Sequence, residues 1–226
     1  MFVRQPQFRN SNADVQIFYG NATNQSATDA LGTNAQQTWN KPPGVSHVYM
    51  MLIGCGGNGD ATSGGGSGAV TVWYGAAQNV PDSLIVHLGS VSAGINTFIE
   101  YRNGTATYIL LQANSANGPS GGSTVASNAF AASGFFRSVQ GQNGGTGNQP
   151  ASAETFLSGG TDVNATTITA NYGYGLLTGG LNTQGQFYIQ PIIVGVGAKG
   201  AGRGGVGCGG GYVGTGGQGM VLIASW

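Results

Sequence analysis

Charge is what this sequence has least of. Seven Lys and Arg and seven Asp and Glu among 226 residues make up 6% of the chain, and the formal net charge is +0. An ordinary soluble domain carries roughly a quarter charged residues. The basic residues are scattered singly, so nothing neutralises a run of phosphates, which argues against a nucleic-acid partner. No basic amphipathic stretch points to a membrane surface either. Histidine and cysteine are as scarce, at two each. His47 and His87 sit inside strand-like runs with no Cys or carboxylate at metal-ligand spacing, so neither reads as a metal ligand. Cys55 and Cys208 both lie within glycine runs and read as small, free, buried side chains, with a pairing across the fold left open. Long apolar runs are missing: YMMLIG and YIQPIIVGVG are strand-sized, well short of the ~20 residues that span a bilayer. The start, MFVRQPQFRNSNADV, has no apolar core of signal-peptide length.

Glycine is what the chain has in excess, 44 of 226 residues where about 7% is usual. Between the glycines, short β-type runs recur and helical periodicity is nearly absent. Val15 to Tyr19 is one such run, and Val45 to Ile53 is another, following a proline turn at Pro42-Pro43-Gly44. SGAVTVWYG and SLIVHLGSV follow, with Pro81-Asp82 between them. The strongest local signal is NTFIEYRNGTATYILLQA, where Arg102-Asn103-Gly104 joins two strands in a tight hairpin. Phe98 and Glu100 alternate there with Ile99 and Tyr101, as in a half-buried strand. A helical turn from Thr28 to Leu31 is the one helical element expected. Residues 114 to 160 read as long loops pinned to the body by Phe130, Phe135, Phe136 and Phe156. Short strands return near VNATTITANYGYG and GQFYIQPIIVGVG, and Met220 to Trp226 closes the chain as a last strand.

Gly54, Gly56 and Gly59 spell a literal G-x-G-x-x-G after an apolar strand. A dinucleotide fingerprint needs a helix to start at its third glycine, because the pyrophosphate rests on the helix N-terminus. The continuation DATSGGGSGAV opposes that, since each Gly costs a helix about 1 kcal/mol relative to Ala. The acidic partner ~20 residues on would be Asp82, which falls in a turn. No G-K-S or G-K-T follows any glycine cluster, and Lys199 stands alone in AKGAG. GGGSGA lacks the helix of a nucleophile elbow, and the seven carboxylates form no motivated pair. The residues therefore speak for a non-enzyme without cofactor or metal. Ordered glycine loops would instead offer backbone donors and acceptors, with Trp73, Tyr74, Tyr172, Tyr174 and Tyr212 interrupting the fields as aromatic contacts.

Three stretches carry a resemblance. Trp39-x-Lys-Pro-Pro-Gly-Val-Ser-x-Val leads through an apolar strand into Gly54-Cys-Gly-Gly-x-Gly and then GGGSGAVTV. With VPDSLIVHLGS and the terminal GGQGMVLIASW, this resembles the glycine-rich domain of bacteriophage tail-fibre and virion surface proteins, over about residues 38 to 91 and 195 to 226. No fibrous shaft or heptad repeat accompanies it, so attachment would fall to the N-terminal residues or to the body itself. The resemblance and the strand pattern imply an all-β sandwich, jelly-roll-like, with long glycine-rich loops. Residues 1–37 would be an attachment segment and 38–226 the glycine-rich domain. The implied role is a virion structural protein located in the particle, a surface fibre tip or spike for host attachment. It would assemble as a trimer or pentamer with other virion proteins and touch a host glycan or protein receptor. No nucleic acid and no membrane insertion are expected. Receptor contacts would fall to Asn58, Asp60, Trp73, Tyr172, Tyr174 and Tyr212. Docking on the particle would use Arg4, Phe8, Arg9 and Phe18. Two other readings stay open: a capsid shell or penton-type jelly-roll protein, and a carbohydrate-binding module.

Overall fold

The computed structural model describes residues 13–19, 36–60, 63, 65–90, 95–141, 143, 177–181, 187–191, 206–210 and 214–226. The strand-like runs do form strands. In chain order they are β1 (Asp14–Tyr19), β2 (Gln36–Asn40), β3 (His47–Ile53), β4 (Val70–Ala76), β5 (Ser83–His87) and β6 (Thr97–Asn103). Then come β7 (Ala106–Ala113), β8 (Phe135–Val139), β9 (Leu177–Leu181), β10 (Phe187–Pro191) and β11 (Met220–Ser225). Among the described residues the only helical pieces are two 3-10 turns, Ala77–Asn79 and Ala131–Ser133.

All pairings are antiparallel. A five-stranded sheet runs β1-β11-β3-β4-β8, a four-stranded sheet runs β2-β5-β6-β7, and β9 and β10 pair as a separate hairpin. Three consecutive strands, β5, β6 and β7, make the four-stranded sheet a meander with β2 added at its edge. The two larger sheets stack as a sandwich. Val48, Met50, Leu52, Trp73, Val221 and Ile223 from the first share one core with Trp39, Leu84, Val86, Ile99 and Leu111 from the second. Each such apolar side chain contributes about 1.5–3 kcal/mol on leaving water.

β3 and β11 lack the usual alternation because both of their faces are buried. Tyr49, Met51 and Ile53 join Met220, Leu222 and Ala224 in a second cluster on the outer face of the five-stranded sheet. That explains the continuous apolar runs MMLI and MVLIA, which a strand with one wet face would not carry.

The hairpin forms with its turn one residue further on than Asn-Gly implies. Asn103 pairs with Ala106, so Gly104 and Thr105 make the turn, and Gly104 takes φ +60. Both favoured two-residue hairpin turns need a positive φ at that first position, which glycine supplies without strain. β3 begins at His47 rather than Val45, because Gly44 at φ +79 still belongs to the proline turn.

The described part of the 114–160 stretch contains a strand. Phe135 and Phe136 lie in β8, which pairs with β4. Phe136 and Phe130 pack against the core, but Phe135 is 61% exposed and anchors nothing. At the N-terminus β1 pairs with β11 from Asp14↔Ser225 to Tyr19↔Met220. The sandwich thus takes a strand from the stretch assigned to attachment, and a boundary at 37/38 would cut through β2. Phe156, the turn at 28–31 and the stretch 163–175 lie outside the described residues.

Candidate functional site

β3 and β7 end, and β4, β6 and β11 begin, at one end of the sandwich. From that end the backbone continues as glycine-rich runs at 54–59, 65–69, 114–122, 207–210 and 214–219. Their hydrogen bonds have a period of three, not two. Gly54 and Gly57 donate to Ala69 and Gly66 at 2.9 and 2.8 Å, while Gly56 and Gly59 donate to Gly217 and Gly214 at 2.8 and 2.9 Å. In the same way Gly65 and Gly68 both donate to the 207–210 run, at 2.8 Å to Gly210 and 2.8 Å to Gly207. A repeat of three is that of the polyproline-II helix, which makes no internal hydrogen bonds and must satisfy its backbone from outside. Here each run satisfies its neighbours, and the result is a hydrogen-bonded bundle of backbones.

Such a bundle leaves no room for Cβ atoms between runs. A Cβ on Gly65 would meet the Gly57 oxygen at 1.9 Å, and one on Gly68 would meet the Gly54 oxygen at 2.0 Å. The G-x-G-x-x-G is therefore a packing motif: its glycines face neighbouring backbones on several sides. Among the described residues no helix follows it, and residues 65–69 join the bundle. Cys55 and Cys208 are free and buried within it. Burial pushes the Cys55 thiol up to about 11 and the Cys208 thiol up to about 12, so neither is a nucleophile at neutral pH.

Polar tips stand on this base. Asn58 and Asp60 are exposed. The Asn58 Oδ1 accepts from Gly216 N at 3.1 Å. Asp60 Oδ1 accepts from Ser63 N at 2.6 Å, and the Asp60 N–H donates to Ser63 O at 2.8 Å. A second tip, Asn117–Ser120, closes on itself through bonds of 3.0 and 3.1 Å, with Gly118 at φ +54. A third polar tip, Asn143, accepts from Gly121 N at 2.9 Å. The first tip holds two residues assigned from the sequence; the other two were not assigned, and their Asn-Gly and Gly-Gly context is the available signal.

Other assigned residues fall elsewhere. Trp73 is fully buried in the core, its ring stacked on Phe130 with centroids 4.8 Å apart, so it cannot touch a receptor. Its position in WYG looked like an interruption of a loop, but it is the inward residue of β4. Phe18 is likewise a core residue, opposite Val221 on β11, and is not free to dock on a particle. Tyr172, Tyr174, Tyr212, Arg4, Phe8 and Arg9 lie outside the described residues.

Two further features were not anticipated. His87 Nε2 lies 3.2 Å from Glu100 Oε2, both side chains are buried, and Arg102 pairs with the other carboxylate oxygen. The His87 ring lies flat on Phe98, centroids 4.1 Å apart. These are close polar contacts without full hydrogen-bond alignment at His87 Nε2 and Glu100 Oε1. Burial lowers the His87 pKa, and the Glu100 carboxylate opposes it. The pairing arises from β5–β6 register, Ile85↔Glu100 beside His87↔Phe98, which spacing along the chain does not reveal. A cleft of about 370 Å³ also lies between β7, residues 124–131 and Phe136. Its polar groups are spent internally: Asn128 Nδ2 donates to Ile109 O and Leu110 O at 3.2 and 3.0 Å, and Gln112 Nε2 to Asn114 Oδ1 at 2.6 Å.

No protein-family model matches this chain, and no curated protein matches it.

Proposed function

We propose that this chain is a phage virion protein at the particle surface, a fibre tip or spike whose glycine-rich end takes part in host attachment. The observation that carries this reading is the glycine bundle: a buried, hydrogen-bonded base that holds Asn58, Asp60 and Asn117–Ser120 outward at one end of a sandwich. Loops held in place this way lose little conformational freedom on contact, so more of each weak interaction survives as affinity. Copy number then multiplies the weak contacts, and a trimer or pentamer supplies it with closed symmetry. The partners on this reading are other virion proteins and a host glycan or protein receptor. The jelly-roll-like winding expected from the resemblance belongs to the same proposal.

A capsid shell or penton-type role draws on a different observation. Val15 and Ile17 on edge strand β1 are about two-fifths exposed, and a sheet edge with apolar side chains suits lateral contact between subunits. The position and copy number of the chain in a purified particle separate the two. Cryo-electron microscopy is expected to place it in a protruding oligomer with Asn58 and Asp60 outward. A chain tiled in many copies through the shell would overturn the attachment role.

A further inference from the structure

The end of the sandwich opposite the glycine bundle carries an aromatic patch that nothing above uses. His47 opens β3, Tyr74 lies near the end of β4, and Trp226 follows β11. Their rings are mutually close: centroids are 5.6 Å apart for His47–Tyr74, 5.8 Å for Tyr74–Trp226 and 6.1 Å for His47–Trp226. The interplanar angles are only 13°, 12° and 21° in the same order. Three near-equal distances exclude a linear pile, in which the outer pair would be twice as far apart. The rings form a triangular patch of near-parallel planes. Phe135 is the β8 residue paired with Tyr74 on the neighbouring strand.

The patch is exposed and fixed. Tyr74 is 38% exposed, His47 and Trp226 are partly exposed, and Trp226 packs on the outer cluster of Tyr49, Met51 and Ile53. Trp226 is held by backbone bonds to Ser46 and His47 at the start of β3: His47 N and Ser46 N donate to its carbonyl at 3.0 and 2.7 Å, and its own N–H donates to His47 O at 3.1 Å. The Ser46 hydroxyl bridges His47 Nδ1 at 2.9 Å and the Trp226 carbonyl at 3.2 Å. The Tyr74 hydroxyl, the His47 Nε2 and the indole N–H of Trp226 take no hydrogen bond from the described residues, so polar groups rim an aromatic surface.

We propose that this patch is a stacking platform for a neutral glycan. An aromatic ring face is electron-rich and its edge electron-poor, so the polarised C–H face of a pyranose docks on ring faces, while its hydroxyls reach the rim. Near-parallel rings suit a flat sugar. A cage for an ammonium group needs ring faces turned toward one cation, which angles of 12–21° do not provide. A nucleic acid, which also stacks on aromatics, needs a cationic track that this sparsely charged chain lacks. The site is separate from Asn58 and Asp60, and the proposal stands or falls independently of the virion reading.

Tryptophan fluorescence reads the patch directly. Trp39 and Trp73 are fully buried, so acrylamide quenching of the intact chain reports on Trp226. Titration with cellohexaose, maltohexaose, chitohexaose and a β-galactan hexamer is expected to protect Trp226 saturably for at least one, with a Kd on the order of 1 mM or below. Tyr74→Ala is expected to weaken that binding about tenfold, the loss of a stacked ring. Should Tyr74→Ala fail to fold, Phe135→Ala removes an exposed ring and carries the same test with a smaller loss. No protection by any of the four sugars overturns the proposal. Protection that grows with protein concentration in the absence of sugar overturns it too, and assigns the patch to a second copy of the chain.

Discussion

A Cβ built on Gly56 would stand 1.8 Å from the carbonyl oxygen of Cys208. The two residues come from distant parts of the chain, so the glycine is required by tertiary packing rather than by its own backbone angles. The reverse holds at Gly44, where φ is +79 and nothing lies within 4 Å of the added carbon.

Gly56→Ala and Gly44→Ala therefore separate the two uses of glycine. Gly44→Ala is expected to cost about 1–2 kcal/mol, the penalty of a left-handed conformation for an L residue. Gly56→Ala pushes two backbones apart and breaks the bonds that hold them, so a loss above about 4 kcal/mol is expected. Denaturant midpoints of the two variants check the order. Equal losses would mean that the bundle yields without cost.

Trp73 imposes a similar constraint inside the sandwich. An added Cβ on Gly75 would lie 2.5 Å from its ring, and one on Gly134 would lie 2.8 Å away, with the Tyr74 carbonyl oxygen nearer still at 2.4 Å. A stacked, buried indole has nowhere to move, so Gly75→Ala is expected to lose about 1–3 kcal/mol by overpacking, and Gly134→Ala, which also meets the Tyr74 backbone, more than Gly75→Ala. Near-ultraviolet circular dichroism should show the Trp73 signal change in both.

The strands were legible because their patterns are local. The hairpin around Gly104 and the runs at β3, β4, β5 and β11 announce themselves by β-branched and aromatic content bounded by glycine or proline. The bundle was legible only as glycine excess. Its three-residue period belongs to hydrogen bonds between runs, and the usual periods of two and 3.6 carry no trace of it. Trp73 and Phe18 were misassigned because a residue between glycines looks like a loop contact until the strand's inner face is known. β8 was hidden because Phe135-Phe136-Arg137-Ser138-Val139 has one inward aromatic and one outward. The His87–Glu100 pair depends on register across two strands.

Alkali should loosen this fold from about pH 9 upward. Cys55 rises from 9.0 to about 11, Cys208 from 9.0 to about 12 and Tyr49 from 10.0 to about 12, each by burial. Folded values above unfolded values mean that the folded chain holds these protons longer. The associated stability is full below pH 9 and is lost as pH climbs to about 12, by on the order of 1 kcal/mol per pH unit for each group. Thermal unfolding between pH 8 and 11 checks it, and Ellman's reagent should find both thiols only on unfolding.

Acid acts through His87. Burial holds its folded pKa below 6.5, with Glu100 partly opposing. A base with a depressed folded pKa contributes stability that is present above pH 6.5 and lost as pH falls below it. His87→Gln should remove that part of the acid sensitivity between pH 6.5 and 5. Glu100→Gln should deepen it, because the carboxylate that favours the imidazolium is gone. Melting temperatures across this range decide the matter; parallel profiles for all three proteins would show that His87 does not titrate there.

The tips offer a test in which stability and function part company. Asp60 is exposed and its Oδ1 accepts a local bond from Ser63 N, so Asp60→Ala is expected to cost the fold about 1 kcal/mol. Asn58 ties its tip to the bundle through Gly216 N, and Asn58→Ala should cost about 1 kcal/mol. If the glycine-rich end meets the host, both variants should lower adsorption of particles that carry them at least several-fold, because small losses multiply over copies. Exposed Asn79, whose Nδ2 donates to Ser133 O far from these tips, supplies the control. Asn79→Ala should unsettle the fold about as much as Asn58→Ala and leave adsorption intact. Adsorption that tracks melting temperature across all three variants would remove the tips from the contact and leave the bundle as a purely structural end.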